Sequence, residues 1–214
     1  MARKPRRDEA GATHHVTARA NGGARLFREV ADRRRFIRLL REVVRDYEWR
    51  CQAYCLTGTH FHMIIRPMEP TLSTGMARLL GEYAKWFNWK YDREGHLFGS
   101  RFSSRHITTD GHLWEAHQYV ALNPVRAEQC EDPADWRWGS YRALAGLEGP
   151  PDFLDVEAVY DLFDLRGDSA ANAYRAFVLG AFERLGSDPL RGSDPFESST
   201  KPRNVSATRL TASS

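Results

Sequence analysis

Two histidines one residue apart, His60 and His62, open the apolar run "HFHMIIRP" (60–67). If this run is a strand, residues i and i+2 project from the same face, so the two imidazoles stand side by side while Phe61, Met63 and Ile65 point into the core. Two imidazoles alone make a weak site for a divalent cation. A second segment, "GHLWEAHQYVALNPVRA" (111–127), carries Tyr119 and Asn123 four residues apart on one flank of a helix whose apolar stripe is Leu113, Ala116, His117 and Val120. A tyrosine beside an amide oxygen and facing two histidines would put a nucleophile next to a metal. Glu115, one turn before Tyr119, could reach the same edge. Plainer roles stay open for these residues: half-buried surface histidines, and a packing tyrosine with its hydroxyl in solvent.

The elements that must position them follow from periodicity. Residues 14–20, "HHVTARA", form a first strand that ends at the turn "NGG". From Ala31 to Arg50, Phe36, Leu40, Val43 and Tyr47 recur at helical spacing between arginines. "CQAYCLT" (51–57) and residues 60–67 then make an antiparallel hairpin across Gly58-Thr59. A second helix runs from about Leu72 to Tyr91 with the stripe Met76, Leu79, Leu80, Tyr83 and Phe87. Residues 104–109 can be a fourth strand, and Asp110 is the expected N-cap of the tyrosine helix, which Pro124 should stop near Leu122. The order β-α-β-β-α-β predicts an α+β fold, a ferredoxin-like antiparallel sheet with helices on one face, a tyrosine helix, and a second face left for a site.

The expected organisation is a flexible basic arm (1–13), one domain (14–146), an acidic helical extension (147–185) and a disordered tail (186–214). The net charge of +3 hides an asymmetry: residues 1–130 hold 22 Lys/Arg against 14 Asp/Glu, and residues 131–170 hold 3 against 10. A basic body favours a polyanionic partner, or is simply a solvated arginine-rich surface. No run approaches the ~18 to 20 apolar residues of a membrane span, and the basic N-terminus lacks a secretory apolar stretch, so a soluble, cytoplasmic protein is expected. Three cysteines argue for a reducing compartment rather than a disulfide framework. Cys51 and Cys55 with the two histidines would offer a structural zinc set, at a spacing unlike that of usual zinc fingers.

Four blocks carry a resemblance: "YCLTGTHFHMII" (54–65), "GEYAKWFNWKYDREGHLFGSRF" (81–102), "YVALNPVRA" (119–127) and "DWRWGSYRAL" (135–144). Together they resemble the single-tyrosine HUH transposases, specifically the REP-associated tyrosine transposase type, over roughly residues 14 to 146. One turn departs from the pattern: the family's Met-Pro-Asn-His is here Thr57-Gly58-Thr59-His60, which glycine makes more permissive. The resemblance implies that His60, His62 and Asn123 hold a divalent metal, Mg²⁺ or Mn²⁺. It further implies that Tyr119 is the nucleophile, leaving a 5′-phosphotyrosine link, and that the partner is single-stranded DNA with palindromic hairpins, bound by a monomer or a homodimer.

For the DNA surface, Arg78, Lys85 and Trp89 fall opposite the stripe of the second helix, where an exposed aromatic between cations suits a single strand. His96, Arg101 and Phe102 in the following loop could add contacts. The competing reading is a non-catalytic module that binds DNA or RNA hairpins, because a ferredoxin-like sheet does not by itself specify chemistry.

Overall fold

Alternation of side chains explains the sheet. In strand β1 (Thr13–Arg19) Val16 and Ala18 are buried in the main core. In strand β3 (His60–Pro67) Phe61, Met63 and Ile65 join that same core. The computed structural model describes residues 8–185. It adds strands β2 (Trp49–Leu56) and β4 (Ser103–Ile107) in the antiparallel order β2-β3-β1-β4. With the intervening helices this is the expected ferredoxin-like α+β architecture.

Helices α1 (Val30–Asp46) and α2 (Leu72–Lys90) cover one face of the sheet. Their buried stripes, Phe36, Leu39, Leu40 and Val43 on α1 and Met76, Leu79, Tyr83 and Phe87 on α2, meet the strands in one aromatic-rich core. The Phe36 and Phe61 rings, for example, lie 4.8 Å apart. Helix α1 stops at Asp46, earlier than its apolar spacing suggests, because Glu48 turns the chain in the left-handed region at φ 52° and β2 begins at once.

Helix α3 (Asp110–Arg126) crosses the opposite face and buries Ala116 and Val120 on Ala53, Cys55, Ile64 and Ile107. Its cap is Thr109, whose Oγ1 accepts from His112 N at 3.2 Å, rather than Asp110. Nor does Pro124 end it. The helix continues to Arg126 with Leu122, Asn123, Pro124 and Val125 all buried. Proline costs one helical hydrogen bond and disfavours, without forbidding, a helical predecessor, and here tertiary burial outweighs both. His117, expected on the sheet-facing stripe, turns the other way and meets Tyr174.

Beyond α3, the chain seals the edge of β2. Leu56 N donates to Trp138 O, Ser140 N to Tyr54 O and Asp155 N to Cys51 O, at 2.8–2.9 Å. Helices α4 (Tyr141–Leu144), α5 (Val156–Tyr160) and α6 (Gly167–Leu185) complete the extension. Helix α6 docks on the side of α3 turned from the sheet, where Trp114 packs on Phe163 and Phe177, and Gln118 Nε2 donates to Phe177 O. At the other end, Asp8 caps α2 by accepting from Ser73 N and Oγ, so residues 8–13 of the expected arm are anchored. Residues 1–7 of that arm and the expected tail, 186–214, lie outside the described residues.

Candidate active site

His60 and His62 reach the open sheet face because the residues between and after them, Phe61 and Met63, are committed to the core. The turn that leads into them is tied down by Ala20 N donating to Thr59 O and Leu26 N to Gly58 O, both at 2.9 Å. Gly58 does not have a positive φ, so the glycine does not loosen the turn as expected from its type. A Cβ there would instead sit 3.4 Å from Gln129 Nε2.

Two hydroxyls meet His60 Nδ1, Thr57 Oγ1 at 3.0 Å and Thr59 Oγ1 at 3.1 Å. Thr57 Oγ1 can place its own hydrogen on the His60 carbonyl at 2.8 Å, which leaves it able to accept from an Nδ1–H. His62 is fully buried, and its Nδ1 lies 2.9 Å from Nε2 of His15. Burial, reinforced by the neighbouring His15, His60 and Arg19, holds the His62 imidazole well below its ordinary value, so it is neutral at neutral pH. Neutrality is the state a metal ligand needs.

Tyr119 is 6% exposed and stands edge-on to His62 and His15, with ring centroids 5.1 and 5.7 Å away. The Arg126 guanidinium lies over the tyrosine ring at 5.4 Å. Asn123, one turn along, is buried. Both His62 Nε2 and Asn123 Oδ1 are buried without a hydrogen-bond partner. An unsatisfied buried polar atom costs about 1–3 kcal/mol, so two of them on elements meeting at one tyrosine need an account. Asn123 Oδ1 offers lone pairs, and His62 Nε2 does so when the His62 proton is on Nδ1, which is what a divalent cation requires. No group of three or more His, Cys, Asp or Glu that could hold a metal ion occurs among the described residues. The zinc alternative fails. A β-bulge between Cys51 and Ala53 sends Cys51 into the main core and Cys55 to the opposite face.

The structure thus brings the rings of Tyr119, His62 and His60 together, with Asn123 buried one turn along the tyrosine helix, while Glu115 is exposed one turn before the tyrosine. Helix α2 packs on the other face of the sheet and carries Arg78, Lys85 and Trp89 with it. Arg78 is held between Asp46 and Glu82 at 2.8 and 2.9 Å, and Lys85 is exposed. Trp89 is 80% exposed. His96 and Arg101 line a groove with Leu80, Ala84 and Phe98 beside α2. Phe102 is buried in the main core, so its expected role at the DNA surface gives way to packing. Sequence reasoning missed His15 and Arg126. The first was signalled by the "HH" pair at 14–15 once β1 is placed next to β3; the second needed α3 to run past Pro124.

Residues 10–123 match the family model described as "Transposase IS200 like". No curated protein matches the chain. Among solved structures, one described as the REP associates tyrosine transposase bound to a REP hairpin superposes with a TM-score of 0.58 at 18% identity, covering 72% of this chain and 94% of that one. At that identity the likeness is one of fold.

Proposed function

The chain belongs to the IS200-like transposase family, and from that premise we propose that it cleaves and rejoins single-stranded DNA beside palindromic hairpins through a covalent bond to Tyr119. The observation that carries this reading is the pair of buried, unpartnered polar atoms, His62 Nε2 and Asn123 Oδ1, on the two elements that meet at Tyr119. The hairpin class of substrate is supported by the ligand of the structural neighbour.

In this reading Tyr119 gives up its phenolic proton and its oxygen forms a bond to the scissile phosphorus. The bond from phosphorus to the 3′ oxygen breaks, and the departing oxygen takes up a proton as a free 3′-hydroxyl. A 5′-phosphotyrosine remains, and attack on it by another 3′-hydroxyl rejoins DNA without an external energy source. His60, His62 and Asn123 would hold the divalent cation, Mg²⁺ or Mn²⁺, which when bound supplies Lewis-acid polarisation of the phosphate. The edge-on packing of His62 and His15 on the Tyr119 ring fixes where the attacking oxygen points. Arg126, over that ring, places a positive charge beside the incoming phosphate.

Labelled hairpin DNA incubated with Mg²⁺ or with EDTA and resolved on denaturing gels tests the reading. A shortened strand that needs metal and Tyr119 is expected. Tight hairpin binding without cleavage under any divalent metal would replace it with the non-catalytic hairpin-binding module.

A further inference from the structure

His15 lies outside the proposed ligand set, yet its ring is buried against two members of the site. In the register of β1 and β3, His15 sits opposite Ile64 and Thr17 opposite His62, so His15 and His62 are diagonal neighbours on the open face. Their rings stack at 5.1 Å with His15 Nε2 2.9 Å from His62 Nδ1. One of these two nitrogens must donate and the other accept. If His62 is to present its Nε2 lone pair to a cation, its proton must be on Nδ1, and His15 Nε2 must be the acceptor with the His15 proton on Nδ1. A matching arrangement is available at His60, where Thr57 Oγ1 can give its hydrogen to the His60 carbonyl and accept from Nδ1, with Thr59 Oγ1 at 3.1 Å as a second acceptor.

We propose that His15 and Thr57 are positioning residues that lock His62 and His60 in the Nδ1–H tautomer, so that both Nε2 lone pairs are committed to the same ligand before it binds. This inference rests on the ligand reading given above. The nitrogen of a histidine that carries the proton is set by the hydrogen bond the other nitrogen makes, and loss of such a supporting partner typically weakens metal binding about 10- to 100-fold. Thr57 is fully buried and belongs to the pinned turn, so its acceptor is held as rigidly as the histidine it serves. His15 supplies a ring nitrogen where a carboxylate or a backbone carbonyl is the usual partner.

The test is long-range ¹H–¹⁵N correlation on the ¹⁵N-histidine-labelled full chain without metal, paired with Mn²⁺ titration followed by electron paramagnetic resonance. Wild-type protein should show His60 and His62 as Nδ1–H tautomers. His15→Phe, which keeps a flat ring but has no acceptor, should move His62 toward the Nε2–H form and weaken Mn²⁺ binding about 10- to 100-fold. His15→Gln restores an acceptor and should recover most of both. Thr57→Val should do to His60 what His15→Phe does to His62. Folding of each variant is checked by its amide spectrum. A His62 that is Nε2–H in the wild type, or Nδ1–H in a folded His15→Phe, would overturn the inference. Correct tautomers with no Mn²⁺ binding in the wild type would overturn the ligand reading and leave the tautomer assignment standing.

Discussion

His117 shows what a titratable side chain costs when nothing answers it. Both ring nitrogens are buried without a partner, and the ring meets Tyr174, whose hydroxyl is likewise unpartnered. Burial pushes the imidazole down from 6.5 to about 3. Below pH 6.5 the unfolded chain binds a proton here that the folded chain refuses until about pH 3, so stability falls as pH drops through that window and is unaffected above it. At roughly 1.4 kcal/mol per pH unit, this one group removes about 2 kcal/mol at pH 5. His62 is shifted the same way. Replacing His117 by leucine should leave the melting temperature at pH 7 unchanged or raised, and shrink the drop seen between pH 7 and pH 5. Melting curves at the two pH values check this.

At the scale of elements, close approach decides the sign of a substitution that propensity would misjudge. Gly75 lies on α2 over Trp49, and a Cβ there would come within 2.7 Å of Trp49 Cη2 and closer still to the next ring carbon. In an exposed helix Gly→Ala gains about 1 kcal/mol. Here overpacking dominates, and Gly75→Ala should destabilise by about 1–3 kcal/mol in urea unfolding. Trp89, by contrast, is exposed and its removal should not affect stability. If α2 carries single-stranded DNA, Trp89→Ala should weaken binding by the ~1–3 kcal/mol of one stacked base, measured by fluorescence anisotropy.

The elements were legible in the sequence wherever period and burial agreed: residues 60–63 alternate because Phe61 and Met63 face the main core and His60 and His62 the site, and the alternation ends at Ile64, which packs under α3. Legibility failed where long-range packing overrode a local signal. Pro124 reads as a stop, yet the helix continues because its last turn is buried, and that continuation places Arg126 over Tyr119. The bulge at Gln52 leaves no mark in the residue types, so Cys51 and Cys55 read as neighbours on one face. His15 was visible as a residue but not as a partner of His62, because only the strand order β2-β3-β1-β4 brings the two together.

For the whole molecule, the acidic segment is explained by what it touches. Arg41 pairs with Asp152 and Arg50 with Asp155 at 2.8 and 3.4 Å, but exposed pairs contribute at most about 1 kcal/mol each. The anchoring is apolar, through Phe153 and Leu154 along β2 and Tyr174 and Val178 in the main core. A chain ending at Gly146 should therefore melt well below the full chain, because it uncovers Trp114 and the back of the tyrosine helix as well as the Cys51 end of the β2 edge. Thermal unfolding of the two proteins side by side measures the difference. No helix among the described residues is long and apolar enough to cross a membrane.

The central claim is that Tyr119 is the residue that joins DNA. It is tested most directly by digesting a hairpin reaction formed with Mg²⁺ and mapping the nucleotide-bearing peptide by mass spectrometry. The account predicts a 5′-phosphodiester on the peptide containing Tyr119 and no adduct from Tyr119→Phe. A covalent adduct mapped to any other residue, or one that survives Tyr119→Phe, would contradict it.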